Sequence, residues 1–498
     1  MDKNVAEELK KLKFKLEHKR VLIFWIILFL FTFWGLYLRL DLYIFNRSIW
    51  YDEAALWMNV KQSGVLELFG VLKYNQAAPA GFLLESKVLV KLFGDSEYVL
   101  RFIPLFCGLC AIPAFFWMTN LFLHTKSAKL FAILLFMVNT NLIFYCQEFK
   151  QYSGDVLIAI LLACVAVEVK MKKPVLTGLF FALCLWYSHP AIFVTAGIWC
   201  AFLIRSIRKK LYGNFSIFSV IIALNALICY FVSFKPLQNQ EFLNSVWATS
   251  FINKDFSNLF ELVINNFYYI FQPIKLFPQE HAILTPVILF SLFAAGAVFV
   301  FKQDRKGKFR FDILILPYLF VLLAAYFDIY PYYDRVTLFL TPFFIITAAK
   351  VFDKIEKFHK TSFVLLILSA LLLINPSIKA QKHMKDMPNQ NKLIFKELER
   401  RYRKGQTVVV NPISALSYKY YSHRRNFKAP LIEEKTYKNQ IEYINFLLTL
   451  KNSDGYWFYT TNMFENYDTK DLIQLWGQNK REFFHYNVRK SDLYYVRP

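Results

Sequence analysis

Apolar runs of membrane-crossing length, joined by short basic connectors, constrain this chain more than any other feature. The first run is Val21–Leu38, and others recur near 98–122, 127–146, 152–170, 174–189, 190–205, 214–234, 283–301, 311–328, 335–351 and 361–378. A hydrocarbon core takes about 20 apolar residues per helix, so the pattern predicts a polytopic α-helical membrane protein with about eleven transmembrane helices. The connectors test that count. Residues 124–129, 170–173, 205–210, 302–310 and 350–360 are all basic and fall on alternate sides of the spans, together with the basic N-terminus 1–20. By the positive-inside rule that face is cytoplasmic. An odd number of spans then puts the C-terminal tail outside the cell membrane. The spans 174–189 and 190–205 abut so closely that a re-entrant pair is the alternative there.

Composition agrees. Hydrophobic residues make up 56% of the chain, and Phe alone counts 54. A water-soluble core does not hide that much apolar surface, whereas a bilayer does. Lys and Arg total 59 against 36 acidic residues. Because the excess follows the membrane topology and a basic tail, it points to the lipid bilayer and not to nucleic acid. All seven cysteines lie between Cys107 and Cys229, mostly in apolar runs, and read as buried thiols. The first run is too long for a cleaved signal and lacks a small-residue cleavage site, so it reads as a signal anchor opening a transmembrane domain over 21–378.

Two outer segments are long. The first, 40–97, holds Asp52 and Glu53 and two amphipathic stretches, 53–69 and 79–93. Both stretches are too short and too polar to span, and they read as interfacial helices. The second, 235–282, is interrupted by Pro236, Pro273 and Pro278. It suits either a flap or a connector resting on the membrane. After Pro376 the pattern changes. Residues 379–498 alternate helical stretches (391–404, 413–422, 436–450, 469–477) with β-type runs (407–410, 456–460, 483–488, 493–496), which predicts a small α/β extracytoplasmic domain. It has no glycine-rich phosphate loop.

The polar residues of the membrane domain collect on the outer side: Asp52 and Glu53; Gln147, Glu148, Lys150, Tyr152 and Asp155; Tyr187 and His189; and Tyr332, Tyr333, Asp334 and Arg335. One interfacial cavity could gather them all. Carboxylates, a histidine and cations there suit transfer of a group from an anionic lipid carrier. A sugar on a polyprenyl phosphate is already activated. The enzyme needs a base for the acceptor's proton and a cation for the departing phosphate. Asp52 fits the first role, and Arg335, whose fork matches phosphate, fits the second, with Lys150 as a further charge. Each residue also has a plainer explanation. Asp52 and Glu53 complement the dipole at a helix start, Arg335 anchors at the interface, Lys150 pairs with Glu148, and His189 sits in a turn.

At these positions the chain resembles the bacterial C-type (GT-C) polytopic glycosyltransferases of family 39, the protein O-mannosyltransferase and aminoarabinose-transferase kind. The stretches that carry the resemblance are SIWYDEA (48–54), NQAAPAGFLLESKVLVKLFGDSEYVLRFIPLFCG (75–108), YCQEFKQYSGD (145–155), WYSHPAIF (186–193) and YYDRVTLFLTPFF (332–344). It covers about residues 20–350. The resemblance implies a polyprenyl-phosphate-linked sugar as donor, inverting transfer to a cell-envelope acceptor (glycan, lipid or protein) and Asp52 as the acidic residue that activates that acceptor, with Glu53 beside it in the catalytic pair. It further implies that Glu148 or Asp155 is the second acid and that Arg335 meets the lipid phosphate. A divalent cation occurs in some relatives, and no ligand set for one is legible here. Two positions depart from the family pattern: Lys150 stands where many members have Arg, and Ala78-Pro79 where many have paired prolines. A transporter or flippase of lipid-linked sugars is the rival reading, as is a glycan polymerase or ligase. The halves of the chain show no internal repeat of the kind transporters carry.

Overall fold

The computed structural model describes residues 3–169, 171–238, 245–271, 284–304, 310–355, 377–385, 390–437, 439–461, 469–488 and 491–498. The chain divides into two compact units. The first takes in Met1–Leu42, Ala78–Phe82 and Phe102–Lys382, and the second Tyr43–Ala77, Leu83–Arg101 and His383–Pro498.

The first unit is helical. Its main elements are α1 (Lys3–Phe45), continuing into the second unit at its end, then α4 (Glu97–Phe122), α5 (Lys126–Val138), α6 (Thr140–Tyr145), α7 (Tyr152–Val169), α8 (Pro174–Tyr187), α9 (Ala191–Lys209) and α10 (Tyr212–Cys229), with further helices at Leu259–Phe271, Leu284–Asp304, Leu316–Tyr326 and Thr341–Ile355. Among the described residues six helical stretches are long and apolar enough to cross a membrane: Val21–Phe45, Glu97–Phe122, Tyr152–Val169, Ala191–Lys209, Tyr212–Leu237 and Asp334–Lys354. Pro174–Tyr187, Val287–Lys302 and Leu316–Tyr326 are shorter apolar helices. Burial separates inner helices from outer ones. Only 11% of the most apolar window of Val21–Phe45 is buried, against 83% for Asp334–Lys354. Trp25, Phe29 and Phe33 on α1 therefore face the lipid, while Phe343, Phe344 and Ile345 belong to the core.

Two expected spans are broken, each for a local reason. The run 127–146 becomes α5 and α6 because the buried Asn139 between them turns its side chain onto backbone. It accepts from Leu142 N at 3.0 Å and donates to Ile270 O at 2.8 Å. The run 311–328 becomes Arg310–Leu314 and Leu316–Tyr326, with Pro317 in the first turn of the second piece. The expected span 361–378 lies almost wholly outside the described residues. One contact needs glycine: a Cβ on Gly296 would stand 1.8 Å from Thr347 O, so the helices carrying these residues touch backbone to backbone.

The second unit is α/β. It contains α2 (Tyr51–Gln62), a 3-10 turn (Leu66–Phe69), most of α3 (Ala80–Phe93), and the helices Asn391–Arg401, Pro412–Arg425, Gln440–Thr449 and Thr469–Gln478. Its sheet runs β2-β1-β3-β5-β4, with β1 (Thr407–Val410), β2 (Leu431–Glu433), β3 (Tyr456–Thr461), β4 (Glu482–Val488) and β5 (Ser491–Arg497). β1 pairs parallel with β2 and β3, while β5 pairs antiparallel with β3 and β4. All four β1 residues are buried, as a parallel strand covered on both faces requires. Val409, Phe458, Tyr494 and Val496 meet Tyr443, Leu447 and Ile473 in the core.

Residues 43–101 enter this unit through specific bonds. Ile49 is buried, and both of its backbone groups are taken by side chains of the C-terminal segment. Its N–H donates to Tyr421 Oη at 2.9 Å, and its carbonyl accepts from Asn391 Nδ2 at 3.1 Å. Trp57 packs edge-on against Tyr420 at 5.1 Å. Leaving such buried backbone groups unmade would cost about 1–3 kcal/mol each.

Candidate active site

Asp52 and Glu53 lie in the first turn of α2, in the second unit. There they complement the helix dipole, since Trp50 at the N-cap supplies no side-chain bond. The two carboxylates then part company. Glu53 is fully buried and held by Arg101 through Nε to Oε1 at 2.8 Å and Nη2 to Oε2 at 2.7 Å. Arg101 also donates to the carbonyls of Arg47 at 2.7 Å and Ser48 at 3.2 Å, so one guanidinium ties the residues before α2 to Glu53. Asp52 is half-buried, with Gln76 Nε2 at 3.5 Å from Oδ1. Burial, and then the neighbouring charges of Asp52 and Tyr74, push the Tyr51 phenol above its ordinary range.

The turn carrying Gln76 is itself pinned. Asn59, buried in α2, accepts from Lys73 N at 2.8 Å and donates to Lys73 O at 3.0 Å. Tyr74 and Asn75, which follow, both adopt positive φ, 61° and 54°. A bulky residue in that region is strained and persists only where its surroundings hold it there.

The remaining candidates belong to the first unit. Gln147, Glu148 and Lys150 occupy the tight turn between α6 and α7 and are buried, and Gln147 Nε2 donates to Arg39 O at 2.5 Å. Tyr152 and Asp155 begin α7 and are also buried. The Arg335 guanidinium stands over the Tyr152 ring at 5.9 Å and the Trp247 ring at 6.0 Å. Arg335 follows Asp334, whose φ is 59° and whose Oδ1 accepts from Arg335 N at 2.7 Å. The Tyr145 hydroxyl shares a hydrogen bond with Tyr269 at 2.8 Å and feels the charges of Asp334, Glu148 and Arg335. The Tyr333 ring lies tilted by 35° against that of Tyr269, with centroids 6.3 Å apart. Ser188 lies beside Asp155, and His189 packs on Phe234 at 5.1 Å. Loss of water lowers the His189 pKa to about 4, so its ring is neutral near pH 7.

Within the first unit, then, Glu148, Tyr152 and Arg335 belong to one cluster, with Asp155 close by. Asp52 and Glu53 belong to the second unit. Sequence reasoning missed Arg101, Asn59, Gln76, Tyr145, Tyr269 and Trp247. Arg101 left a signal, an arginine in a long apolar helix, where a charge calls for a partner. Asn59 and the aromatic residues left none. Among the described residues no group of three or more His, Cys, Asp or Glu side chains could hold a metal ion.

No protein-family model matches the chain, and no curated protein matches it. Solved structures do. ArnT from Cupriavidus metallidurans in the apo state is 10% identical, with a TM-score of 0.53 over 96% of this chain and 98% of that one. The same protein bound to undecaprenyl phosphate is 11% identical, with a TM-score of 0.52 over the same 96% and 98%. The Archaeoglobus fulgidus oligosaccharyltransferase, in complex with zinc and sulfate, is 13% identical, with a TM-score of 0.53 over 95% of this chain and 73% of that one. At these identities the likeness shows the fold. This is a GT-C fold with a small C-terminal sheet domain, in a multi-pass membrane protein.

Proposed function

We propose that this chain is a membrane glycosyltransferase that moves a sugar from a polyprenyl-phosphate donor to a cell-envelope acceptor, with inversion. The observation that carries the reading is a half-buried Asp52 in the loop after the first membrane helix, on a chain of GT-C fold, beside a glutamate already committed to Arg101. The undecaprenyl phosphate bound by one ArnT structure supports the lipid carrier.

In this reading Asp52 takes the proton of the acceptor's nucleophile as that atom attacks the anomeric carbon. The bond from that carbon to the phosphate oxygen breaks, and its electron pair leaves with the lipid phosphate. Arg335, held over Tyr152 and Trp247, supplies the positive charge that the phosphate meets. Glu148, Lys150, Tyr152, Asp155, His189 and Tyr333 line the donor's binding region. His189, being neutral, serves as a hydrogen-bonding group and not as a cation. Glu53 positions Asp52 through Arg101 and does not touch substrate. In this reading the N-terminus is cytoplasmic, and the domain over residues 379–498 faces the exterior of the cell membrane.

The test is transfer of labelled sugar from a synthetic polyprenyl-phosphate donor by purified protein in lipid. Asp52→Asn working at the unaltered rate overturns the reading.

A further inference from the structure

The basic turns of the first unit do not treat their cations alike. Lys350 Nζ meets Asp353 at 3.0 Å, Lys129 Nζ donates to Asn120 Oδ1 at 2.8 Å, and Lys126 stands over the Phe24 ring at 5.8 Å. One place differs. Lys172 and Lys173 lead into α8, and Arg208, Lys209 and Lys210 end α9 just ahead of α10. All five are exposed, and the four lysines meet no carboxylate among the described residues.

The fold brings these two turns together. Asn214 Nδ2, in the first turn of α10, donates to Met171 O at 2.9 Å, and Met171 is buried with φ at 62°. Further along, α8 and α10 stay side by side. Trp186 Nε1 donates to Asn225 Oδ1 at 3.0 Å, and Asn225 Nδ2 to Ala182 O at 3.1 Å. Between those bonds a Cβ on Gly178 would lie 3.0 Å from Ile221 Cδ1, so glycine lets the two helices close up. Trp199 Nε1 donates to Ser219 Oγ at 2.9 Å and ties α9 to the same helix. The outward faces of the pair are apolar: Leu179 and Leu183 on α8 and Val220 and Leu224 on α10 are all exposed.

Two ordinary causes fall short of this arrangement. The helix dipole accounts for Arg208 and Lys209 in the last turn of α9, but it opposes Lys172 and Lys173 at the start of α8. The bias of cations toward one side of a membrane accounts for their sign. It does not account for four lysines gathered without a carboxylate when the neighbouring turns engage theirs. Cations crowning a lipid-facing helix pair fit an anionic headgroup whose chains lie along the helices. A phosphate diester carries a single negative charge, so one such group leaves most of this cluster unbalanced, and two bring it nearer to balance.

We propose that the turns flanking α8 and α9 bind a phospholipid carrying two phosphates, with its acyl chains along the outward faces of α8 and α10. The site is separate from the Arg335 cluster and does not depend on the glycosyltransferase reading. The test is native mass spectrometry of the purified, delipidated full chain, titrated with cardiolipin, phosphatidylglycerol and phosphatidylcholine. Cardiolipin, with two phosphates, is expected to bind about tenfold more tightly than phosphatidylglycerol, with one, and phosphatidylcholine more weakly than both. Lys172→Ala with Lys173→Ala, and Lys209→Ala with Lys210→Ala, are each expected to weaken cardiolipin about tenfold. Lys126→Ala with Lys129→Ala, the same loss of charge at another basic turn, is expected to leave it unaltered. Equal affinity for the two anionic lipids, or equal loss in all three double variants, overturns the site. Lys172→Arg with Lys173→Arg keeps the charge and should bind as the parent does. Thermal unfolding gives a second readout: cardiolipin should raise the midpoint of the parent chain and not that of either cluster alanine variant. A cluster variant raised as far as the parent overturns the site as well.

Discussion

Glu53 and Arg101, 48 residues apart in the chain, form a two-point fork at 2.8 and 2.7 Å with both side chains buried. A pair so enclosed is costly to assemble, and removing one partner is costlier, about 3–5 kcal/mol, because a bare charge stays inside. Arg101→Ala and Glu53→Gln should therefore lower the thermal midpoint of purified protein markedly. Asp52→Asn, at a half-buried neighbour outside that ion pair, should lower stability much less than either of them. Thermal unfolding of the three variants side by side checks this. An Asp52→Asn chain as unstable as Arg101→Ala would remove the distinction between the two acids.

Catalysis should divide the same residues the other way. Loss of a general base typically costs about 10²–10⁴ in rate. Asp52→Asn should fall in that range in donor-transfer assays, with folding intact. Glu53→Gln, assayed at a temperature where it remains folded, should retain more activity than Asp52→Asn.

Arg335 allows a graded test. Arg335→Lys keeps the charge and loses the fork, and Arg335→Ala loses both. Transfer should fall in that order, by about tenfold for the lysine and more for the alanine. Equal activity of both variants would count against any phosphate contact by this side chain.

His189 sets an acid dependence. Its pKa is lowered from 6.5 to about 4 because burial disfavours the charged ring. Between those values the unfolded chain binds the proton more readily than the folded one, so folded stability falls as pH drops through that window. Unfolding midpoints of the parent chain and of His189→Phe, measured from pH 7 to 4, should diverge, with the parent losing more. Parallel curves would show that the ring is solvated.

Topology is directly measurable. A cysteine placed at the exposed Ser453 should react with a membrane-impermeant maleimide added outside intact cells, while one placed in residues 1–20 should not. The reverse pattern would invert the orientation and end the proposal of an external acceptor.

How much of this was legible beforehand depended on the range of the interaction. β1, Thr407–Val410, has the limits its β-branched run predicts, since a parallel strand buried on both faces leaves a continuous apolar signature. β2, Leu431–Glu433, went unseen because it is three residues long and mostly exposed. The long runs announced Glu97–Phe122 and Tyr152–Val169 well, but nothing in the 127–146 run disclosed that Asn139 would leave helical bonding for Ile270 O, 131 residues on. The Asp52–Glu53 pair was visible as a feature, while the separate fates of its members hinged on Arg101. Distant pairings of single side chains carry no periodicity to read.

The bonds at Ile49 have a consequence for biogenesis. Its N–H waits on Tyr421, 372 residues further along, and its carbonyl on Asn391, 342 residues further along. Ribosomes add residues at about 5–20 per second, so the segment around Ile49 emerges many seconds before the groups that will hold it. During that interval the nascent early segment must be sheltered by lipid or by a chaperone, and truncations that remove Tyr421 should leave it a target for proteases.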